Sequence, residues 1–239
     1  MRQMIKRLLL VISGLTMAIG GSIVVADAPA MAAPCADVEV VFARGTVESA
    51  PPVGLTGLSF GAALRQRLPG KSVNVYGVNY PASDKFNNRL LFAQTVANGV
   101  RDAQNRVKYI AATCPRTRIV LGGYSQGAVV AGYAVQANIE VPARYRQYAD
   151  RAPKPLPASL SKNIAAVVLF GPPSDRFIRD VGAPPIRIAP AYRYKTVRYC
   201  IPADTICNGS PVGGPNVFHV LYAVNGMTVD AANYVARRL

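Results

Sequence analysis

Ser125 sits in the run Ile119-Val120-Leu121-Gly122-Gly123-Tyr124-Ser125-Gln126-Gly127-Ala128-Val129-Val130-Ala131, an apolar stretch, a Gly-x-Ser-x-Gly turn and then small helix-compatible residues. A strand ending in such a turn and feeding a helix presents the serine hydroxyl at the carboxyl end of a sheet, because the glycines relieve crowding in a sharp turn. A serine hydroxyl is a weak nucleophile at neutral pH and needs a base beside it. The chain contains one histidine, His219, so a serine–histidine mechanism has to use it. Along the chain, Asp204 lies between the two, in the order serine, acid, histidine. Its expected role is to hold the imidazole tautomer and stabilise the imidazolium. Asp175 and Asp180 are rival acids, placed after an earlier strand. The tetrahedral intermediate also needs donors for its oxyanion. The backbone N–H of Gln126, at a helix start, is one candidate. Thr46, in the turn Arg44-Gly45-Thr46, can supply the other through its N–H and hydroxyl.

These residues need a sheet to converge. Val38–Ala43 is a short apolar run ending at the Arg44-Gly45-Thr46 turn, and Val73–Tyr80 is a second strand stopped by Pro81. The serine strand is the third, residues 165–170 the fourth and 196–201 the fifth. Helical periodicity covers 58–68, 87–112 and the stretch from the serine to about Ala137, and 217–239 is expected to close the chain as a helix. This alternation predicts a parallel sheet with helices on both faces and a ligand site beyond the carboxyl ends of the strands, where Thr46 and Ser125 fall. The Pro-rich, basic segment Pro142–Ser161 is the clearest loop insertion.

The N-terminus is read as a targeting segment. Arg2, Lys6 and Arg7 precede an apolar stretch from Leu8 to Val25, then Ala28-Pro29-Ala30-Met31-Ala32-Ala33. This predicts a secretory signal over 1–32 and one domain over 33–239, in place of an uncleaved membrane anchor. Pro34 before Cys35 argues against a lipoprotein signal. Four cysteines, Cys35, Cys114, Cys200 and Cys207, then read as two disulfides in an exported chain, with three pairings possible. The short separation of Cys200 and Cys207 favours a loop staple around Asp204, which leaves Cys35 for Cys114. A zinc site finds little support, with no Cys-x-x-Cys and a single histidine.

The formal charge is +15, and about +13 once residues 1–32 are removed. Such a balance favours anionic surfaces, an acidic envelope among them, while the scattered cations and the expected export argue against a specific nucleic-acid partner.

Phe42-Ala43-Arg44-Gly45-Thr46, Gly122-Gly123-Tyr124-Ser125-Gln126-Gly127 and the Cys200…Asp204…Cys207…His219 tail resemble the cutinase family, with the actinobacterial cutinase-like esterases nearest in pattern. The resemblance spans nearly all of the chain from Cys35 onward. It implies a single-domain α/β hydrolase around a five-stranded parallel sheet, with Ser125, Asp204 and His219 as triad and Thr46 and Gln126 as oxyanion hole. It also implies the Cys35–Cys114 and Cys200–Cys207 bridges, and no cofactor or metal. Fungal members often carry serine where Thr46 stands. Pro142–Ser161 and the stretch from Pro172 to Ala191 look longer than in the compact fungal enzymes. The expectation is a secreted, monomeric serine esterase acting on short- to medium-chain acyl esters. Polysaccharide deacetylation of the acetylxylan type and phospholipid hydrolysis are alternatives, and a catalytically silent, basic envelope-binding protein is the non-enzymatic one.

Overall fold

The computed structural model describes residues 35–239; the expected signal segment lies outside them. Five strands, β1 (Val38–Ala43), β2 (Val73–Gly77), β3 (Arg118–Tyr124), β4 (Ile164–Phe170) and β5 (Thr196–Tyr199), form one parallel sheet in the order β2-β1-β3-β4-β5. The three central strands are apolar almost throughout because both of their faces are covered. Side chains alternate between two cores. Val41, Leu121, Val167 and Leu169 meet Val100, Val107 and Val130 of α2 (Arg89–Thr113) and α3 (Gln126–Ala134). Val40, Phe42, Val120, Val168 and Phe170 meet Phe60 and Leu64 of α1 (Leu55–Arg67) and Ala231 and Val235 of α6 (Met227–Ala236). Glu39 is the buried charge of β1; it accepts from Asn74 and pairs with Arg106, whose guanidinium lies over the Tyr76 ring.

The predicted strands and helices are present, with the second strand ending at Gly77 where Tyr80 was expected and the main correction at the C-terminus. Residues 217–239 do not form a continuous helix. A 3-10 turn over Val217–Val220 carries His219, the chain reverses through Leu221–Asn225, and α6 begins only at Met227. Gly226 adopts φ 90°, a left-handed conformation that interrupts helical geometry. Asn225 then closes the new start by accepting from the Met227 N–H at 3.1 Å. The fifth strand stops at Tyr199, short of the expected Ile201. The Pro142–Ser161 insertion contains 3-10 stretches at Ala143–Arg151 and Ala158–Lys162. The 172–191 stretch holds a short α4 (Asp175–Asp180) and leads into α5 (Pro190–Arg193).

Both expected disulfides are formed. Cys35–Cys114 ties the start of the described chain to the end of α2, just before β3, and Cys200–Cys207 closes a seven-residue separation after β5.

Candidate active site

β3 ends at Tyr124 and α3 begins at Gln126, leaving Ser125 alone between them at φ 53°, ψ −118°. This is a costly conformation for a residue with a Cβ, and it persists where the surroundings over-determine it. The Ser125 N–H donates to Phe170 O of β4 at 2.9 Å, and its carbonyl accepts from Ala128 and Val129 in the first turn of α3. The flanking glycines are required by backbone approach. A Cβ on Gly123 would lie 2.1 Å from Gly127 O, and one on Gly127 would lie 1.9 Å from Ala43 O. The Gly-x-Ser-x-Gly pattern is therefore the imprint of α3 starting hard against the ends of β3 and β1.

The turn carrying His219 places its Nε2 2.8 Å from Ser125 Oγ and its Nδ1 2.8 Å from Asp204 Oδ2. Three residues spread over 94 positions thus form one line of hydrogen bonds. Asp204 and His219 are buried, while Ser125 is partly exposed. With the imidazole neutral, Nδ1–H donates to the carboxylate and Nε2 is free to accept the hydroxyl proton. The rival acids do not contact His219: Asp180 pairs with Arg176 and accepts from Val212 N, and Asp175 begins α4.

Asp204 has further partners that sequence reasoning missed. Tyr222 OH donates to Asp204 Oδ2 at 2.7 Å and accepts from Ile201 N at 3.0 Å, and the Ile206 N–H donates to Oδ1 at 2.9 Å. Tyr222 is fully buried, and burial, followed by the Asp204 carboxylate, raises its phenol well above the ordinary tyrosine value, so it stays a donor. Tyr124 OH donates to His219 O at 2.5 Å and so holds the backbone of the histidine turn. Tyr222 is three positions after His219, on the same reversal, and that spacing was the one available signal.

Burial alone would raise the Asp204 carboxyl, but hydrogen bonds from His219, Tyr222 and the Ile206 N–H outweigh it and hold the group below the ordinary aspartate value. A carboxyl held low in the fold stabilises it above the ordinary aspartate range, and this contribution disappears as pH falls through the folded-state value. Tyr222→Phe deletes one of the lowering bonds and moves the carboxyl upward. The variant's Tm deficit is therefore expected to be largest near neutral pH and to shrink in acid, as Asp204 becomes protonated in both proteins. Thermal unfolding of the two proteins between about pH 7 and 3 measures this; a deficit of constant size contradicts it.

On the other side of Ser125, neither Thr46 N–H nor Gln126 N–H has a partner within the protein among the described residues. The first lies in the turn after β1, which packs against Tyr124 and Gly127 on either side of Ser125, and the second is the first residue of α3. The turn is braced by Glu48, missed from sequence, whose carboxylate accepts from Gly45 N at 2.7 Å and Thr56 N at 2.8 Å. Tyr80 OH donates to Arg44 O, and Val47 N donates to Ala82 O at 2.9 Å. The Gln126 side chain turns away and donates to Ser83 O at 3.1 Å, so its backbone is the part available to a ligand. Val47, beside Thr46, and Val217, Phe218 and Val220, around His219, leave an exposed apolar rim.

Over residues 34–239 the chain matches the family model described as Cutinase. It is 46% identical over 175 residues to the probable carboxylesterase Culp7 of Mycobacterium tuberculosis, covering 72% of this chain and 88% of that protein. It is 39% identical over 241 residues to the carboxylesterase Culp1 of the same species, covering 99% and 98%. Among solved structures, the Trichoderma reesei cutinase in complex with a C11Y4 phosphonate inhibitor aligns with a TM-score of 0.61 at 32% identity, over 85% of this chain and 77% of that one. On sequence and fold together, the chain belongs to the cutinase family.

Proposed function

We propose that this chain is a secreted serine esterase that hydrolyses short- to medium-chain acyl esters through Ser125, His219 and Asp204. The carrying observation is the line of two 2.8 Å hydrogen bonds from Ser125 through His219 to Asp204. The relatives named carboxylesterases support hydrolysis of carboxylic esters.

In this reading His219 Nε2 takes the Ser125 proton as Oγ bonds to the acyl carbon, and the carbonyl oxygen becomes an oxyanion held by the N–H groups of Thr46 and Gln126. Collapse of the intermediate expels the alcohol, which leaves with the proton from His219. Water then attacks the acyl-enzyme, gives its proton to His219, and the carboxylic acid departs as Ser125 is reprotonated. Asp204 remains ionised and stabilises the imidazolium at each transfer. The N-terminal pattern of cations, apolar stretch and Ala-x-Ala supports export, as do two disulfides.

The exposed rim of Val47, Val217, Phe218 and Val220 supports a shallow acyl site open to solvent. Hydrolysis of p-nitrophenyl esters is expected to fall beyond about ten acyl carbons. Higher kcat/KM on long-chain esters or phospholipids than on butyrate overturns this preference, and faster deacetylation of acetylated xylan than of tributyrin favours the polysaccharide alternative. Absence of turnover by the folded, oxidised protein on every ester favours a binding role.

A further inference from the structure

β5 is an edge strand, and beside it lies a shallow, largely open depression of about 370 Å³ lined by Ile188, Thr196 and the exposed Arg187, Arg193 and Arg198. The three arginines come from separate places: the segment before α5, the end of α5, and β5 itself. Two are anchored to the same short segment. Arg193 Nε donates to Ile188 O at 3.0 Å, and an Nη of Arg198 donates to Ile186 O at 3.4 Å. One N–H of each guanidinium is thereby committed, and the others remain to bind. The Thr196 hydroxyl is engaged by Tyr192 O at 2.7 Å, so recognition falls to the arginines.

Charge compensation is thin. Among the described residues, the one carboxylate within 4 Å of these guanidiniums is Glu140, 3.8 Å from Arg187, in a pair exposed on both sides. Exposed pairs of this kind contribute little. Three cations around one concavity repel one another, and a multiply charged anion seated among them removes that repulsion. A guanidinium's planar fork matches the oxygens of a phosphate with two parallel hydrogen bonds. None of the lining residues belongs to the Ser125 site. We propose that this depression binds a phosphate-bearing anion, supplied by the headgroup of an anionic lipid or by a soluble phosphate.

The test uses the oxidised full protein carrying Ser125→Ala, so that binding is read without ester turnover. Its affinity is measured for phosphatidylglycerol vesicles, for phosphatidylcholine vesicles and for inorganic phosphate. An Arg187→Gln/Arg193→Gln/Arg198→Gln variant is compared with Arg67→Gln/Arg116→Gln/Arg146→Gln. The control removes equal charge from exposed side chains that make no hydrogen bond or salt bridge among the described residues. The variant of the depression is expected to lose about tenfold in affinity for the bound phosphate source, and the control about twofold or less. Tight binding to phosphatidylglycerol vesicles that millimolar phosphate does not displace assigns the headgroup. Binding of inorganic phosphate without vesicle preference assigns the soluble anion. Equal losses in both variants, or no binding of either source by the unsubstituted depression, overturn the proposal. Arg187→Glu alone serves as a second variant if the triple substitution lowers Tm, and unchanged affinity in it overturns the proposal equally.

Discussion

Ser125→Ala is expected to lower kcat on p-nitrophenyl butyrate by about 10⁴-fold or more, with Tm within a few degrees of the parent protein. The Ser125 backbone is held by Phe170 O and by the first turn of α3, contacts that alanine preserves. What disappears is the Oγ that the proposed mechanism uses as nucleophile, with its 2.8 Å bond to His219. His219→Ala should cost a similar factor, since no second histidine exists to replace it. The double variant should be no worse than either single one, because the two groups act as a unit and the backbone donors survive in all three. Steady-state kinetics on the four proteins measure this. Retention of a tenth or more of the activity in Ser125→Ala would place the nucleophile elsewhere.

The second large effect is structural. Gly127→Ala is expected to lower stability by about 3 kcal/mol or more, or to prevent accumulation of folded protein. The added Cβ would meet Ala43 O at 1.9 Å and Arg44 O at 2.5 Å, and both are backbone atoms with no rotamer to change. Relief requires moving the end of β1 or the start of α3, and these carry Thr46 and Gln126. Any folded remainder should therefore also lose activity. Gly70→Ala is the internal control: Gly70 has φ +82°, and a Cβ added there meets nothing within 4 Å, so only the backbone conformation is penalised, by about 1 kcal/mol. Urea unfolding of the two variants separates steric collision from left-handed strain. Equal losses contradict the close-approach account of the Gly-x-Ser-x-Gly turn.

How much of this was legible beforehand follows from where each signal resides. β1, β3 and β4 are buried on both faces, so they survive in the sequence as continuous apolar runs. The serine turn is legible because its glycines answer a local steric demand, and His219 because it has no competitor. Ser125, Asp204 and His219 lie far apart in sequence; Asp175 and Asp180 also fall between the serine and the histidine, and what favours Asp204 is its place after the fifth strand, between Cys200 and Cys207.

Three features were not legible. The break at Gly226 was hidden by helix-compatible residues on either side, and one left-handed glycine overrode their periodicity. Tyr222 reads as a core aromatic; its hydroxyl matters because the reversal after His219 swings it onto the Asp204 carboxylate. Glu48 reads as a loop acid until Gly45 and Thr56, from either side of a bend, converge on it. For Tyr222 and Glu48 the information lies in tertiary contacts, and for Gly226 in one backbone conformation that the periodicity around it does not reveal.

Covalent labelling reads whether Ser125 is an activated nucleophile without depending on the choice of ester. A fluorophosphonate probe reacts where a serine is deprotonated by an adjacent base, and peptide mapping locates the adduct. One label per chain is expected, on Ser125, absent from both Ser125→Ala and His219→Ala. No label on the folded, oxidised protein, or a label on another residue that persists in Ser125→Ala, would contradict activation of Ser125.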